Sequence, residues 1–428
     1  MTLPRGWTSR RFDQLGELCS GSTPSSSRTE FWDGATVWVT PTDLSRLNTP
    51  YLHDSAKLIT ERGLRSCSAR LLPPGSIVLS SRAPIGYVAI PTVPFCTNQG
   101  CKSIALHNSY HSEFVYYAVT ATVPRLKRLG EGTTFAEISK KSLAKAEVVL
   151  PIDKAEQSKI AEVLSTVDRA IEQTEALIAK QKRIKTGLMQ DLLTRGIDEH
   201  GNLRSEQTHD FKDSPLGRIP VEWDPVPFGA CGQWYSGGTP SKAVQRFWGG
   251  GVPWVCPKDM KQFELCESID TITKDAVAAG ARLVPTGTVF IVIRGMILAH
   301  TFPVGISTTE VAFNQDVKAI TPKQNFMGRY LAYWLSSNSH QFLKLATTAT
   351  HGTKRFDLDE LQAASIGFPT LDEQRLIVSI LDEQQSIIQR LQGLTAKLQA
   401  EKRGLMQDLL TGKRRVMALL GQREGVTA

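Results

Sequence analysis

The residues that could do chemistry in this chain are few, and most catalytic arrangements are absent. Pro257-Lys258-Asp259-Met260-Lys261 has the acid-plus-lysine composition of a nuclease cluster, where a carboxylate would hold a metal and a lysine would steady developing charge. Its counterpart, Pro41-Thr42-Asp43-Leu44-Ser45, has no lysine, so a turn at a strand end is the favoured reading. Cys96 and Cys101 are separated by four residues, but no second Cys/His pair stands at finger-like spacing, and the 8 histidines show no metal-ligand pattern. No Gly-x-Gly-x-x-Gly follows a strand, and there is no Gly-Lys-Ser/Thr phosphate loop. Also missing is the Asn-Pro-Pro-aromatic segment that amino-methyltransferases set against a flipped base. What remains are cations beside turns and strand ends: Arg28, Arg82, Lys102, Lys242, Arg294, Lys318, and Lys354-Arg355 after a Gly-Thr turn. Such side chains suit contacts to phosphate. The chain reads as a binding protein.

Those cations sit on a duplicated plan. Leu3-Pro4-Arg5-Gly6-Trp7 opens one copy and Ile219-Pro220-Val221-Glu222-Trp223 the other. Gly21-Ser22-Thr23-Pro24 with Phe31-Trp32 returns as Gly237-Gly238-Thr239-Pro240 with Phe247-Trp248, an offset of 216 between Trp32 and Trp248. Trp38 to Asp43 matches Trp254 to Asp259, and Asn98-Gln99 with Lys102 matches Asn314-Gln315 with Lys318. Pro74 to Leu79 with Arg82 matches Pro285 to Phe290 with Arg294 a few residues out of register, as a short loop insertion would produce. Within each copy, short β-rich runs bounded by Gly, Pro, Ser and Asn predict strands and turns, and each copy has the size of one domain.

After each globule the period changes. Apolar residues recur every three or four positions through Ile160, Val163, Val167, Ile171, Ile178, Ile184, Leu188 and Leu192, with Thr174 and Gln181 on the same line. They recur again through Ile377, Leu381, Ile388, Leu391, Leu394, Leu398, Leu405 and Leu409, with Gln384. This spacing predicts two coiled-coil helices, each a rod of roughly 55–60 Å, that pair with each other. Both end in one octapeptide, Gly187 to Thr194 and Gly404 to Thr411. The predicted fold is therefore α+β. Mixed α/β globules cover residues 1–152 and 218–370, long helices cover 153–194 and 371–412, a polar linker covers 195–217, and a flexible basic tail covers 413–428.

Composition bounds what such a chain can be. At 428 residues, 41% hydrophobic and 21% charged, it is neither disordered nor collagen-like, and it is too long for one ordinary core. No apolar run approaches ~20 residues, so no membrane span is expected. The start is polar and basic without a secretory signal, and 7 cysteines are an odd number, which predicts reduced thiols and a cytoplasmic location. A net charge of +8 leans toward an anionic partner such as nucleic acid.

Tandem globules, each followed by a long helix with a near-identical end, resemble the specificity (S) subunit of type I restriction–modification systems. The Gly-x-Thr-Pro turns, the helix openings Ala155-Glu156-Gln157 and Asp372-Glu373-Gln374, and the bridge Phe211 to Pro220 agree with it. The resemblance covers essentially the whole chain. It implies two target-recognition domains that each read half of a bipartite, asymmetric site in double-stranded DNA, on an antiparallel coiled coil with pseudo-two-fold symmetry that sets the spacer. It also implies a non-catalytic chain that directs adenine methylation and cleavage by two modification and two restriction subunits. S-adenosylmethionine, ATP and Mg2+ would belong to those partners, with no cofactor in this chain. Other classes are a coiled-coil scaffold without site-dependent DNA affinity and a self-contained DNA-modifying enzyme; the missing motifs speak against the second.

Comparing the copies sorts residues. Shared ones predict frame: Phe31-Trp32 and Phe247-Trp248 as core aromatics, Asn98-Gln99 and Asn314-Gln315 as ties for backbone, and Arg82, Lys102, Arg294 and Lys318 as phosphate contacts. Differing ones predict specificity: the segment reaching Arg28 against that with Lys242, and Thr133-Thr134 against Lys354-Arg355. Leu188, Met189, Leu405 and Met406 are candidates to face partner subunits as well as the seam.

Overall fold

The computed structural model describes residues 3–130, 137–348 and 352–417. Its contacts divide the chain into two units, residues 1–178 with 391–428 and residues 179–390. Four helices supply side chains to the cores beneath the sheets: α1 (Ser112–Gly130), α2 (Lys154–Leu192), α3 (Gly328–Ser337) and α4 (Leu371–Leu409). Each long helix, α2 and α4, contributes one end to each unit.

In the first unit a five-stranded sheet runs in the order Gly16–Ser20, Cys101–Leu106, Ile77–Ser80, Val88–Pro91, Tyr51–Leu52. A three-stranded sheet sets Trp32–Val39 between Leu58–Ile59 and Phe95–Thr97, and Trp7–Arg11 pairs antiparallel with Glu147–Pro151. The central run Ile77-Val78-Leu79 is apolar without alternation because both faces are covered. Phe114, Val115 and Val119 of α1 pack beneath it with Ile160 and Leu164 of α2 and with Leu409 and Leu410 at the end of α4.

The second unit repeats this order. Its five-stranded sheet reads Gly232–Ser236, Val317–Pro322, Val289–Val292, Val304–Ser307, Glu264–Leu265, and Asp224–Pro227 pairs with Ser365–Phe368. Tyr330, Leu331 and Leu335 of α3 pack with Ile377, Val378 and Leu381 of α4, with Leu192 of α2 and with Leu193 just after it. The start of α2 thus meets the end of α4 in one unit, and the end of α2 meets the start of α4 in the other, so the pair is antiparallel.

The Gly-x-Thr-Pro turn is built twice in one way. A Cβ on Gly21 would lie 1.9 Å from the Asn98 carbonyl, and one on Gly237 2.2 Å from that of Phe313, so only glycine fits. Thr23 hydroxyl donates to Gln99, and Thr239 to Gln315 at 2.7 Å. Asn98 and Asn314 each accept from a backbone amide two residues on. The edge-on pairs Trp32–Trp38 and Trp248–Trp254 have centroids 5.1 and 5.2 Å apart. Trp38 and Trp254 are the buried members; Phe31, Trp32, Phe247 and Trp248 are only half-buried, because the turn they cover is itself at the surface.

The seam departs from the simple heptad reading. Ile160, Ile377, Leu381 and Ile388 are buried, while Val167, Ile171, Ile178, Leu188, Leu391, Leu398 and Leu405 are half-buried. Ile184 and Leu394, however, are 39% and 45% exposed. Lys185 and Thr395 turn inward instead, since a 3.6-residue helix drifts against a 3.5-residue pattern. Lys185 donates to Gln385 at 2.8 Å and sits 5.1 Å from the Tyr333 ring centroid. Gln384 donates to the Gln181 side chain at 2.7 Å and to its carbonyl at 3.1 Å.

Two segments expected to be loose are anchored. Within 195–217, Ile197 and Arg204 are buried, because Arg204 pairs with Glu373 at 2.6 Å. In 413–417, Val416 is buried, Arg415 binds Glu156 at 2.5 and 2.7 Å and the Arg5 carbonyl at 2.8 Å, and Lys413 and Arg414 pair with Asp408. Residues 418–428 lie outside the described residues.

Candidate nucleic-acid interface

Each unit holds its shared cations at the ends of two adjacent inner strands of its five-stranded sheet. In the first, Leu79 stands opposite Lys102, and the chain leaving that strand bridges antiparallel from Arg82 to Glu137. The amide of Ile138 donates to the Ser81 carbonyl at 2.9 Å, which fixes the returning segment against the sheet. The Glu137 carboxylate then sits 3.5 Å from the Arg82 guanidinium and 3.6 Å from the Lys102 ammonium. Lys102 is only 5% exposed and donates to the Gln99 carbonyl at 3.1 Å. That burial overturns its reading as a surface phosphate contact: its charge is spent on backbone and on Glu137. Beside Arg82, a cavity of about 470 Å³ is lined by Thr40, Asp43, Arg46, Lys57 and Asn98.

The second unit forms the same strand ends with different chemistry. Ile291 stands opposite Lys318, Arg294 bridges antiparallel to Arg355, and the Phe356 amide donates to the Ile293 carbonyl at 3.0 Å. Glu137 and Arg355 therefore occupy equivalent places with opposite charge. Arg294 and Arg355 are exposed and line one cavity of about 500 Å³ with Thr347, Asp357 and Glu360. Asp357 caps the short helix after it, accepting from the amides of Asp359 and Glu360 at 2.9 and 3.2 Å. Lys318 donates to Ser236, and Lys354 donates to Thr348 at 2.8 Å. Among the outlying candidates, Arg28 pairs with Glu30 at 3.4 Å and covers Phe31, while Lys242 is exposed. Thr133 and Thr134 lie outside the described residues.

The acid of the nuclease-like segment is fully employed as a turn. Asp259 accepts from the Cys256 amide at 2.9 Å and the Ile269 amide at 2.8 Å, as Asp43 accepts from those of Thr40 and Ala56. Among the described residues no group of His, Cys, Asp and Glu is arranged to hold a metal, and no helix is long and apolar enough to cross a membrane.

Three duplicated networks tie helix to globule; the sequence showed the Glu-Gln openings used by two of them, but the partners in all three were missed. Glu373 accepts from Arg204 at 2.6 and 3.2 Å, from the Ile197 amide at 2.9 Å and from the Trp223 indole at 3.2 Å. Its equivalent Glu156 takes Arg415 at 2.5 and 2.7 Å. The next residue of each helix opening is a clamp: Gln157 donates to the Pro151 carbonyl and accepts from the His111 amide, as Gln374 does with Pro369 and Met327. Finally, Tyr117 donates to Asp168 at 2.7 Å with Lys402 2.5 Å from that acid, and Tyr333 donates to Asp382 at 2.6 Å with Lys185 over its ring. Burial, reinforced by the aspartate each hydroxyl serves, pushes both tyrosines well above the ordinary phenol range. The offsets Tyr117/Tyr333 and Lys402/Lys185 could have shown this last pairing in the sequence.

Comparison with known proteins gives one answer. The type I restriction modification DNA specificity domain matches residues 4–182 and again 220–400. The MjaIX type I restriction enzyme specificity subunit of Methanocaldococcus jannaschii is 33% identical over 277 residues, 64% of this chain and 63% of that protein. The EcoR124I/EcoR124II specificity subunit of Escherichia coli is 33% identical over 195 residues, 45% of this chain and 48% of that one. The matched stretches thus span less than two thirds of both relatives. A chain from a solved type I R-M system superposes with a TM-score of 0.60 at 16% identity, covering 96% of this chain and 99% of that one. The S subunit from M. genitalium does so at 0.55 and 17%, covering 96% and 98%. At such identities these two likenesses speak for the fold.

Proposed function

The chain belongs to the type I restriction–modification specificity family, and from that premise we propose that each unit reads one half of a bipartite site in double-stranded DNA. The observation that carries this reading is the repeated frame with unlike side chains on it: one bridge beyond the central strand, built twice, bears Glu137 in one copy and Arg355 in the other. A shared frame gives both units the same approach to a duplex, and residues that differ between them give each its own sequence. Cations and backbone amides hold the register on phosphates, and loop side chains meet base edges. The antiparallel pair of α2 and α4 sets the separation of the half-sites, so the base pairs between them are free to vary.

In this reading the chain supplies no catalytic group. Adenine methylation and cleavage belong to two modification and two restriction subunits, which would hold S-adenosylmethionine, ATP and Mg2+. The two octapeptides, whose Leu188, Met189, Leu405 and Met406 are half-buried, offer one surface twice to two copies of a partner. The test is to co-express the chain with a modification subunit and map methylated adenines in genomic DNA. The region from Pro220 to Gly367 is then exchanged for that of a relative. A two-part motif in which only one half changes is the expected result. A motif that is undivided, or one that changes in both halves, refutes the proposal.

A further inference from the structure

The equivalence of Glu137 and Arg355 leads to a difference in how the two units meet DNA. Alignment by sequence hides it, because Arg82 and Arg294 are 212 residues apart while Glu137 and Arg355 are 218 apart. The backbone bridges Arg82–Glu137 and Arg294–Arg355 bring the two positions into register. In the first unit the acid neutralises its surroundings, with Arg82 and Lys102 both within 3.6 Å of it. In the second unit, among the described residues, no carboxylate lies within 4.0 Å of Arg294, Arg355 or Lys318. Two exposed guanidiniums then share one cavity, and Asp357, one of the two acids that line it, is committed to capping a helix. Like charges placed together without a counter-ion repel each other, and an anion between them relieves that cost.

Resting on the DNA-binding reading above, we propose that this position sets the charge with which each unit grips the DNA backbone. Arg355 together with Arg294 takes a backbone phosphate in the second unit, whereas Glu137 holds Arg82 back from phosphate in the first. The guanidinium fork suits phosphate oxygens, and the cavity gives room for a group of that size. The consequence is a pair of substitutions at one structural place with opposite effects.

The experiment measures affinity of the full-length chain for a mixed-sequence DNA duplex as a function of salt, for the wild type and for Glu137→Ala, Arg355→Ala and Arg355→Lys. Both positions are at the surface, and unchanged thermal midpoints would verify folding of the variants. Arg355→Ala should flatten the plot of log affinity against log salt by about 0.9, the loss of one phosphate contact, and Arg355→Lys should largely restore it. Glu137→Ala should steepen the plot by up to about 0.9 as Arg82 is released. Alanine variants that move the slope in the same direction, or leave it unmoved in a chain that binds DNA, overturn the proposal alone. A wild-type chain without any salt-dependent duplex affinity overturns the DNA-binding reading and this proposal with it.

Discussion

Replacing Arg204 by alanine should be among the most damaging single changes to the second unit. The Glu373 carboxylate is 7% exposed and accepts four hydrogen bonds, two of them from Arg204 at 2.6 and 3.2 Å. Without the guanidinium, the carboxylate keeps only two neutral donors, the Ile197 amide and the Trp223 indole. Removing one partner of a buried ion pair leaves an uncompensated charge and costs about 3–5 kcal/mol. With a urea m-value of about 2 kcal/mol per molar, that lowers the midpoint of the unit's transition by roughly 1.5–2.5 M. Urea unfolding followed by tryptophan fluorescence reads it, since Trp223 donates to the same carboxylate. The double variant Arg204→Met with Glu373→Leu removes both charges and should recover most of the loss. A midpoint shift below about 0.5 M for Arg204→Ala, corresponding to under ~1 kcal/mol, would refute the claim that this pair closes the unit.

Three further outcomes follow from the same geometry. Burial and hydrogen-bonded acids raise Tyr117 and Tyr333, and burial brings Tyr51 and Tyr116 up to about 12, so the folded state holds protons that the unfolded state releases near pH 10. Stability should therefore be full below about pH 10 and fall as pH rises above it, less steeply in Tyr333→Phe; Lys185, which burial lowers, acts with the opposite sign and only moderates the fall. Gly196→Ala should destabilise by more than about 1 kcal/mol, because φ is +65° and the new Cβ would stand 2.1 Å from a Glu373 oxygen, whereas Gly393→Ala, with nothing within 4 Å, should stabilise α4 by about 0.5–1 kcal/mol; thermal midpoints of the two distinguish them. Alkylation with iodoacetamide at neutral pH should mark the exposed Cys266 first and leave Cys96, Cys101 and Cys231, whose thiols burial pushes up to about 12, unmodified until unfolding.

Local and repeated features were legible in the sequence. The Gly-x-Thr-Pro turns, both long helices and the paired Glu-Gln openings could be read because each needs only its own spacing and its copy. The misread features depend on closure in space. Ile184 fits a heptad on paper, but helical drift turns Lys185 inward, where the Tyr333 ring and Gln385 give that lysine a place to lie. Arg204 sits in a polar, glycine-punctuated stretch that looks like a tether until Glu373, 169 residues on, is seen to need a cation. Lys102 looks like its counterpart Lys318, but Lys102 is buried where Lys318 is only half-buried. The charge inversion at Glu137 and Arg355 was hidden by unequal loop lengths, since only backbone pairing shows which residues correspond.

The pairing of Glu156 with Arg415 also has a consequence for biosynthesis. The acid precedes its cation by 259 residues. At about 5–20 residues per second, a ribosome needs roughly 13–52 s to make the intervening chain. During that interval the first unit exists without the end of α4, with Leu409, Leu410 and Val416 missing from its core and the Glu156 carboxylate still hydrated. The second unit suffers no such delay between Ile197 and its own acid beyond its own synthesis, because both partners lie within residues 179–390. The domain made first is thus the one completed last, and a nascent chain halted before Arg415 would carry an open N-terminal unit beside a finished second one.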